Sequence, residues 1–332
     1  MISMINIIKP PRLNRGDTIG IVATSFPFPT DTQSDYFLRY KKAVGELEEM
    51  GFKIKEGKNL RKTKWWFAGT PQERAEDING MFADKEVKAI IVHDGGQSAI
   101  DTLEHIDYEL VKSNPKPFMG FSDITNILTA IFTKTGLVGF HMDLLTYGLG
   151  GVWTGFTTEV KEQARTMFTE VLTSTNPIGN RKQFTPWQNW RSGMAEGMLF
   201  GGNLSMLSSL VGTRYFPKLE DLRGCVFFWE TDNTQSYRIE RGLYQLKYAG
   251  LFEVISGMVI GKLPDIKRTA WEGFTEPTPQ EIVMEVLQGF NFPILAEVDF
   301  GHKSINTPMP IGLQAKIDAD SLKLEVLEAA VS

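Results

Sequence analysis

Ser122 stands in Phe118-Met119-Gly120-Phe121-Ser122-Asp123, where an apolar run gives way to a helical pattern. A serine at a strand-to-helix turn carries its hydroxyl at the rim of a sheet. The unpaired N–H groups of the helix start lie beside it, where they could stabilise an oxyanion. A serine nucleophile needs a base, normally histidine, and the base needs an acceptor to orient it. The chain has four histidines. His93 ends a predicted strand, His105 falls in a helix or loop, and His141 follows Val138-Gly139-Phe140. His302 comes directly after a strand, in Phe300-Gly301-His302-Lys303, where an adjacent glycine lets a ring turn into a cleft. Glu230 ends the apolar run Val226 to Trp229, so it either meets solvent or is held by a partner such as an imidazole. Gly95-Gly96 follows another strand, and two glycines allow a tight turn with close backbone approach to a ligand. Each residue also has a plainer reading. Ser122 alone reads as a helix N-cap, the histidines as structural, Glu230 as solvated and Gly95-Gly96 as an ordinary turn. The Gly-x-Ser-x-Gly elbow is not met, because Ile124 occupies its last position.

The elements that would position these residues alternate through the first half. Thr18 to Ala23 is a buried-strand pattern, and a helix follows with Tyr36, Tyr40, Ala43, Val44 and Leu47 on one face. Lys53 to Glu56 is a second strand, and a helix from about Pro71 to Phe82 has proline in its first turn. Ala89 to Val92 and Pro117 to Phe121 are further strands, and Asp123 to Lys134 is a helix. This order implies a parallel sheet covered on both faces, with ligands collecting beyond the C-terminal strand ends. Residues 176–191, polar and rich in Pro and Trp, read as a linker or interdomain loop. The second half is mixed, with strands at Val226-Trp229, Ser256-Ile260, Leu295-Phe300, Gln314-Ile317 and Leu322-Leu327. Its helices fall around Asn203-Val211, Ser236-Tyr248 and Pro279-Gln288, and Asp318 to Ser321 is a hairpin turn.

Composition narrows the classes of function. The 332 residues, 42% hydrophobic and 23% charged, suit one large or two medium globular domains. A net charge of -5 does not favour nucleic acid as a partner. The single cysteine, Cys225, begins an apolar run and reads as a buried hydrophobe in a reducing compartment. There is no Cys/His cluster of metal-ligand spacing, no Walker loop, and no Gly-x-Gly-x-x-Gly after the first strand. Met1 to Lys9 lacks the pattern of a signal peptide, and no apolar run is long enough to span a bilayer. The expected location is the cytoplasm, with no membrane partner.

The order of these segments resembles the LD-carboxypeptidase family, which includes the microcin C self-immunity peptidases. The resemblance runs from Gly16-Asp17-Thr18-Ile19-Gly20-Ile21-Val22 through Ala68-Gly69-Thr70 with Glu73-Arg74-Ala75. It continues through Gly95-Gly96 and Gly120-Phe121-Ser122-Asp123. The second half adds Gly201-Gly202-Asn203-Leu204, Trp229-Glu230, Tyr237-Arg238-Ile239-Glu240-Arg241, and Gly301-His302 followed by Met309-Pro310-Ile311-Gly312. The resemblance implies a Ser122-Glu230-His302 triad, with His302 as base and Glu230 orienting it. The oxyanion hole would come from the backbone N–H of Asp123 and of a glycine in Gly95-Gly96, Gly96 being the candidate. It implies an α/β fold: a Rossmann-like parallel-sheet domain over 1–175 carrying the nucleophile, and a smaller β-rich domain over 176–332 carrying the other two residues. It also implies a homodimer and no metal or organic cofactor.

Two departures bear on specificity. Gln97 and Ser98 follow Gly95-Gly96 where the family often has an aromatic residue. Phe140-His141-Met142-Asp143 stands where the family often has Gly-Pro. Gly95, Gln97, Trp187 and Arg241 are candidates for substrate contact, Trp187 by stacking on a nucleobase and Arg241 by pairing with a carboxylate. Microcin-type members carry a long Trp-containing loop before Gly-Gly-Asn, whereas Phe184 to Trp190 is short. The expectation is therefore a murein tetrapeptide substrate cleaved at the L,D-amide before its terminal D-alanine. A peptidyl- or aminoacyl-nucleotide is the alternative, and a small-molecule binding protein without turnover is the alternative outside enzymes.

Overall fold

The structure is a computed structural model that describes residues 5–28, 31–232, 234–263, 266, 273, 275–303 and 305–332. Met1 to Met4, part of the stretch read for a signal peptide, lie outside the described residues. Five strands arise from the apolar runs of the first half: β1 (Thr18–Val22), β2 (Lys53–Glu56), β3 (Val87–Val92), β4 (Phe118–Gly120) and β5 (Gly139–His141). They lie parallel in the order β2-β1-β3-β4-β5. Ile90, Ile91 and Val92 have no exposed surface, as a strand buried on both faces requires. The helix Pro71–Ala83 packs on β1 and β3, and the helix Thr125–Thr135 on β4 and β5. Thr70 and Glu73 form a capping box that fixes where the first of these helices starts, with Pro71 at its head. Gly95-Gly96 and Ser122 both lie just past strand C-termini, where the β-α alternation had placed them.

The second sheet contains β6 (Gly179–Asn180), β7 (Gln188–Arg191), β8 (Met194–Asn203), β9 (Val226–Glu230), β10 (Gly257–Gly261) and β11 (Ile294–Val298). The next strand, β12 (Met309–Ile311), leaves this sheet and pairs antiparallel with β5 of the first. The second sheet is completed by β13 (Gln314–Asp318) and β14 (Lys323–Val326), in the order β6-β14-β13-β8-β9-β10-β11-β7. Strands β8 to β11 are parallel at its centre, and the outer pairs are antiparallel. All five residues of β9 are buried. The segment 176–191, read as a linker or interdomain loop, also supplies β6 and β7, the two edges of this sheet. Edge strands are short and meet water, so they lack the apolar pattern that marks a strand in sequence.

The halves meet through Gly201-Gly202-Asn203. A Cβ on Gly201 would lie 1.7 Å from the Phe228 carbonyl oxygen. One on Gly202, at φ +151°, would lie 2.5 Å from Thr125 Cγ2. Only glycines let β8 run this close to β9 and to the helix that follows Ser122. The Asn203 N–H then donates to Thr125 Oγ1 at 2.9 Å, joining the second sheet to the helix that follows Ser122.

Candidate active site

Ser122 opens a short 3-10 turn, Ser122–Ile124, that leads into the helix Thr125–Thr135. Its φ is +61°, a left-handed conformation uncommon for a residue other than glycine. A strained turn of this kind throws the side chain forward from the end of the strand, as in a nucleophile elbow. The hydroxyl does not cap the helix. Ser122 Oγ lies 3.0 Å from His302 Nε2, and His302 Nδ1 lies 2.6 Å from Glu230 Oε2. An ionised carboxylate only accepts, so Nδ1 carries the ring hydrogen and Nε2 accepts from the serine hydroxyl.

Each partner is held by its element. Glu230 is the last residue of β9 and has no exposed surface. Its second oxygen, Oε1, accepts from Asn203 Nδ2 at 3.0 Å. Burial alone would push this carboxyl up, but the charge and hydrogen bond of His302, with His141 and Asn203 adding to them, hold it below the ordinary range. His302 follows Gly301, whose φ is +99° and whose Cβ position would lie 2.9 Å from Glu230 Cβ. That crowding explains why glycine precedes the histidine. Tyr147 Oη donates to the His302 carbonyl at 3.1 Å, and the Phe121 ring lies 4.7 Å from the imidazole. Burial pulls the His302 pKa down, but Glu230, then Asp232 and Asp94, outweigh it and raise it.

The other histidines separate cleanly. His93 is buried, with its ring bonded to the Phe26 carbonyl and Thr146 Oγ1. His141 is buried against the rings of Phe121, Phe228 and Phe300. Burial pulls both down to about 4. His105 lies near Glu104 and takes no part in the hydrogen bonds between Ser122, His302 and Glu230. Cys225 is buried and its thiol is pushed up to about 12 by burial, which leaves it without nucleophilic character at neutral pH.

The Gly95-Gly96 turn faces this arrangement. A Cβ on Gly95 would lie 3.4 Å from Ser122 Oγ. Gly96 has φ +145° and passes so near Ser25 that a Cβ would lie 2.1 Å from Ser25 Oγ. Ser25 Oγ also accepts the N–H groups of Gln97 and Ser98 at 2.8 and 2.9 Å. The Asp123 carboxylate accepts the N–H groups of Ser98 and Ala99, both at 2.9 Å, and so ties the serine turn to this loop. The Gln97 side chain is exposed.

Two candidates for substrate contact lie elsewhere. Trp187 is buried, and its Nε1 donates to Asp299 Oδ2 at 2.7 Å. Asp299 has no exposed surface and also accepts from the Phe184 and Thr185 N–H groups and from Thr185 Oγ1. The tryptophan therefore satisfies a buried carboxylate three residues before His302 and is not free to stack on a base. Trp187→Phe is expected to destabilise the fold by about 1–3 kcal/mol through the lost hydrogen bond to a charged group. A thermal melt reads this, and kcat/KM should stay near wild type. Arg241 is exposed on the helix Ser236–Tyr248, its guanidinium 5.3 Å from the Tyr237 ring centroid. It shares an outer face with Tyr237, Tyr244 and Tyr248 in a groove lined by none of Ser122, Glu230 and His302. Ile239, Leu243 and Leu246 take the inward face, and this register turns Arg241 away from the core.

Asn203, Tyr147 and Asp94 join the site without having been singled out for it in the sequence. The Gly-Gly-Asn motif was a signal for Asn203, because glycines that bring a strand close also bring the next side chain close. Tyr147 and Asp94 carried no such mark.

Residues 19–142 match the LD-carboxypeptidase N-terminal domain, and residues 196–317 match the LD-carboxypeptidase C-terminal domain. The chain belongs to the LD-carboxypeptidase family and is a serine peptidase. It is 32% identical to the "Probable murein peptide carboxypeptidase" of Bacillus subtilis (strain 168), over 98% of this chain and 95% of that one. It is 27% identical to the "Microcin C7 self-immunity protein MccF" of Escherichia coli, over 96% and 95%. A solved structure of MccF in complex with glutamyl sulfamoyl guanosine superposes with a TM-score of 0.84 at 26% identity, covering 98% of this chain and 99% of that chain.

Proposed function

We propose that this peptidase releases the terminal D-alanine from murein tetrapeptide, using Ser122, His302 and Glu230 as its triad. The hydrogen-bonded line from Ser122 Oγ through the imidazole to Glu230 is the observation that carries the chemistry. His302 Nε2 takes the hydroxyl proton as Ser122 attacks the carbonyl of the L,D-amide. The backbone N–H groups of Gly96 and Asp123 receive the oxyanion. His302 then passes the proton to the leaving amine of D-alanine, and a water activated by the same nitrogen hydrolyses the acyl-enzyme. Glu230 keeps Nδ1 protonated and stabilises the imidazolium between the two transfers. The chemistry is complete with these side chains and backbone groups, without a metal.

The choice of substrate rests on the full-length similarity to a murein peptide carboxypeptidase and on the burial of Trp187, which removes the ring offered for base stacking. The alternative substrate, an aminoacyl- or peptidyl-nucleotide, is supported by the likeness to MccF. Incubation with both separates them. The expected result is D-alanine release from L-Ala-γ-D-Glu-meso-diaminopimelyl-D-Ala and no cleavage of an aminoacyl-nucleotide conjugate. Cleavage of the conjugate alone would reverse the assignment. A homodimer, a cytoplasmic location and the division into 1–175 and 176–332 belong to the same reading. Light scattering on the purified chain tests the first.

A further inference from the structure

We propose that Tyr36 and Asp94 are positioning residues that hold the Gly95 peptide in place for oxyanion binding by its neighbour Gly96. Tyr36 lies in the first turn of the helix Asp35–Glu49, whose start is fixed by the Ser34 side chain accepting the Phe37 N–H at 3.2 Å. The Tyr36 hydroxyl donates to Asp94 Oδ2. The other oxygen, Oδ1, accepts the Gly95 N–H at 2.7 Å. The Gly95 carbonyl in turn accepts the Phe26 N–H at 2.9 Å. Both backbone groups of Gly95 are therefore pinned, one through Asp94 to the helix and one directly to the loop after β1.

The far side of the turn is secured separately, by Ser25 on the N–H groups of Gln97 and Ser98. Between these two anchors sits Gly96, at a φ of +145° and close against Ser25. Its orientation comes from its neighbours. Tyr36 is itself braced, its ring 5.3 Å from Phe26 and edge-on to His93 at 6.0 Å. Among the described residues, Tyr36 and the Gly95 amide hydrogen-bond to Asp94, whose charge also acts on His302. A residue that orients an oxyanion donor acts on the transition state and leaves ground-state binding alone.

This inference rests on the proposed Ser122 chemistry, in which Gly96 is an oxyanion donor, and its test keeps the two apart. Steady-state kinetics on murein tetrapeptide are measured for wild type, Tyr36→Phe, Asp94→Asn and Asp94→Leu, together with inhibition by a peptidyl boronate that mimics the tetrahedral adduct. Tyr36→Phe is expected to lower kcat by roughly tenfold or more, with KM nearly unchanged and the boronate weakened in proportion. Asp94→Asn, which keeps an acceptor for Gly95, should retain more activity than Asp94→Leu. Equal kcat for wild type and Tyr36→Phe, or for Asp94→Asn and Asp94→Leu, would overturn the inference. So would a loss confined to KM. Labelling of wild-type Ser122 by a fluorophosphonate reports on the underlying reading, whose failure would appear as no adduct in the active wild type.

Discussion

Ser122→Ala is expected to lower D-alanine release by roughly 10⁴- to 10⁶-fold, the range set by other triad serines. That corresponds to about 5–8 kcal/mol of transition-state stabilisation. The loss should appear in kcat, because the hydroxyl bonds covalently to substrate and is not needed to bind it. The fold should be little affected. Ser122 Oγ bonds to His302 across the cleft and supports no helix amide, so its removal leaves the turn's backbone contacts in place. A thermal melt close to wild type beside lost turnover is the expected pair of results. A mutant as active as wild type would exclude the triad. A chain with no turnover in either form would revive the reading as a binding protein.

Glu230→Gln is expected to cost less, about 10³- to 10⁴-fold in kcat, since the nucleophile and base remain. It should also change the pH dependence in a direction fixed by electrostatics. His302 must be neutral to accept the serine proton, so activity rises with pH through its pKa. Burial lowers that pKa, and the charges of Glu230, Asp232 and Asp94 raise it above the ordinary imidazole value. His141 and Tyr147, which also pack around this site, stay neutral at working pH, His141 because burial pulls it down and Tyr147 because burial pushes it up. Burial pushes Asp94 up to about 7, so its charge adds to that of Glu230 only toward the alkaline side. In wild type the acid limb of kcat/KM therefore lies above the usual histidine midpoint. Removing the nearest charge leaves burial to dominate, and the limb should move to lower pH. A limb that stays in place would mean that Glu230 does not set the ionisation of His302.

The family resemblance, more than any single residue, made the triad legible in the sequence, and the residues it joins share a physical mark. Ser122, Gly95-Gly96, Glu230 and His302 each follow an apolar run, and the end of a buried strand is where a polar residue changes meaning. Residues whose part depends on the packing of the two halves were less visible. Asn203 reaches Glu230 only because Gly201 and Gly202 let β8 lie against β9 and against Thr125. Tyr36 finds Asp94 across 58 residues, and no local pattern announces that meeting. Trp187 was a candidate because the microcin-type members of the family carry a tryptophan in the corresponding loop. Here Phe184 and Thr185 turn their N–H groups inward to Asp299, and the indole Nε1 donates to the same carboxylate. Arg241 was drawn in by its motif, whereas helix register puts it on the outer face. The edge strands β6 and β7 were hidden by composition, since an edge exposed to water needs no apolar alternation.

The most direct test of the central claim is covalent. The purified protein is treated with a fluorophosphonate, and the adduct is located by peptide mass spectrometry in wild type, Ser122→Ala and His302→Ala. The triad predicts one phosphonylated site, at Ser122, formed quickly in wild type, slowly without His302 and not at all without Ser122. An adduct on another residue, or labelling of Ser122 at the same rate in His302→Ala, would contradict it.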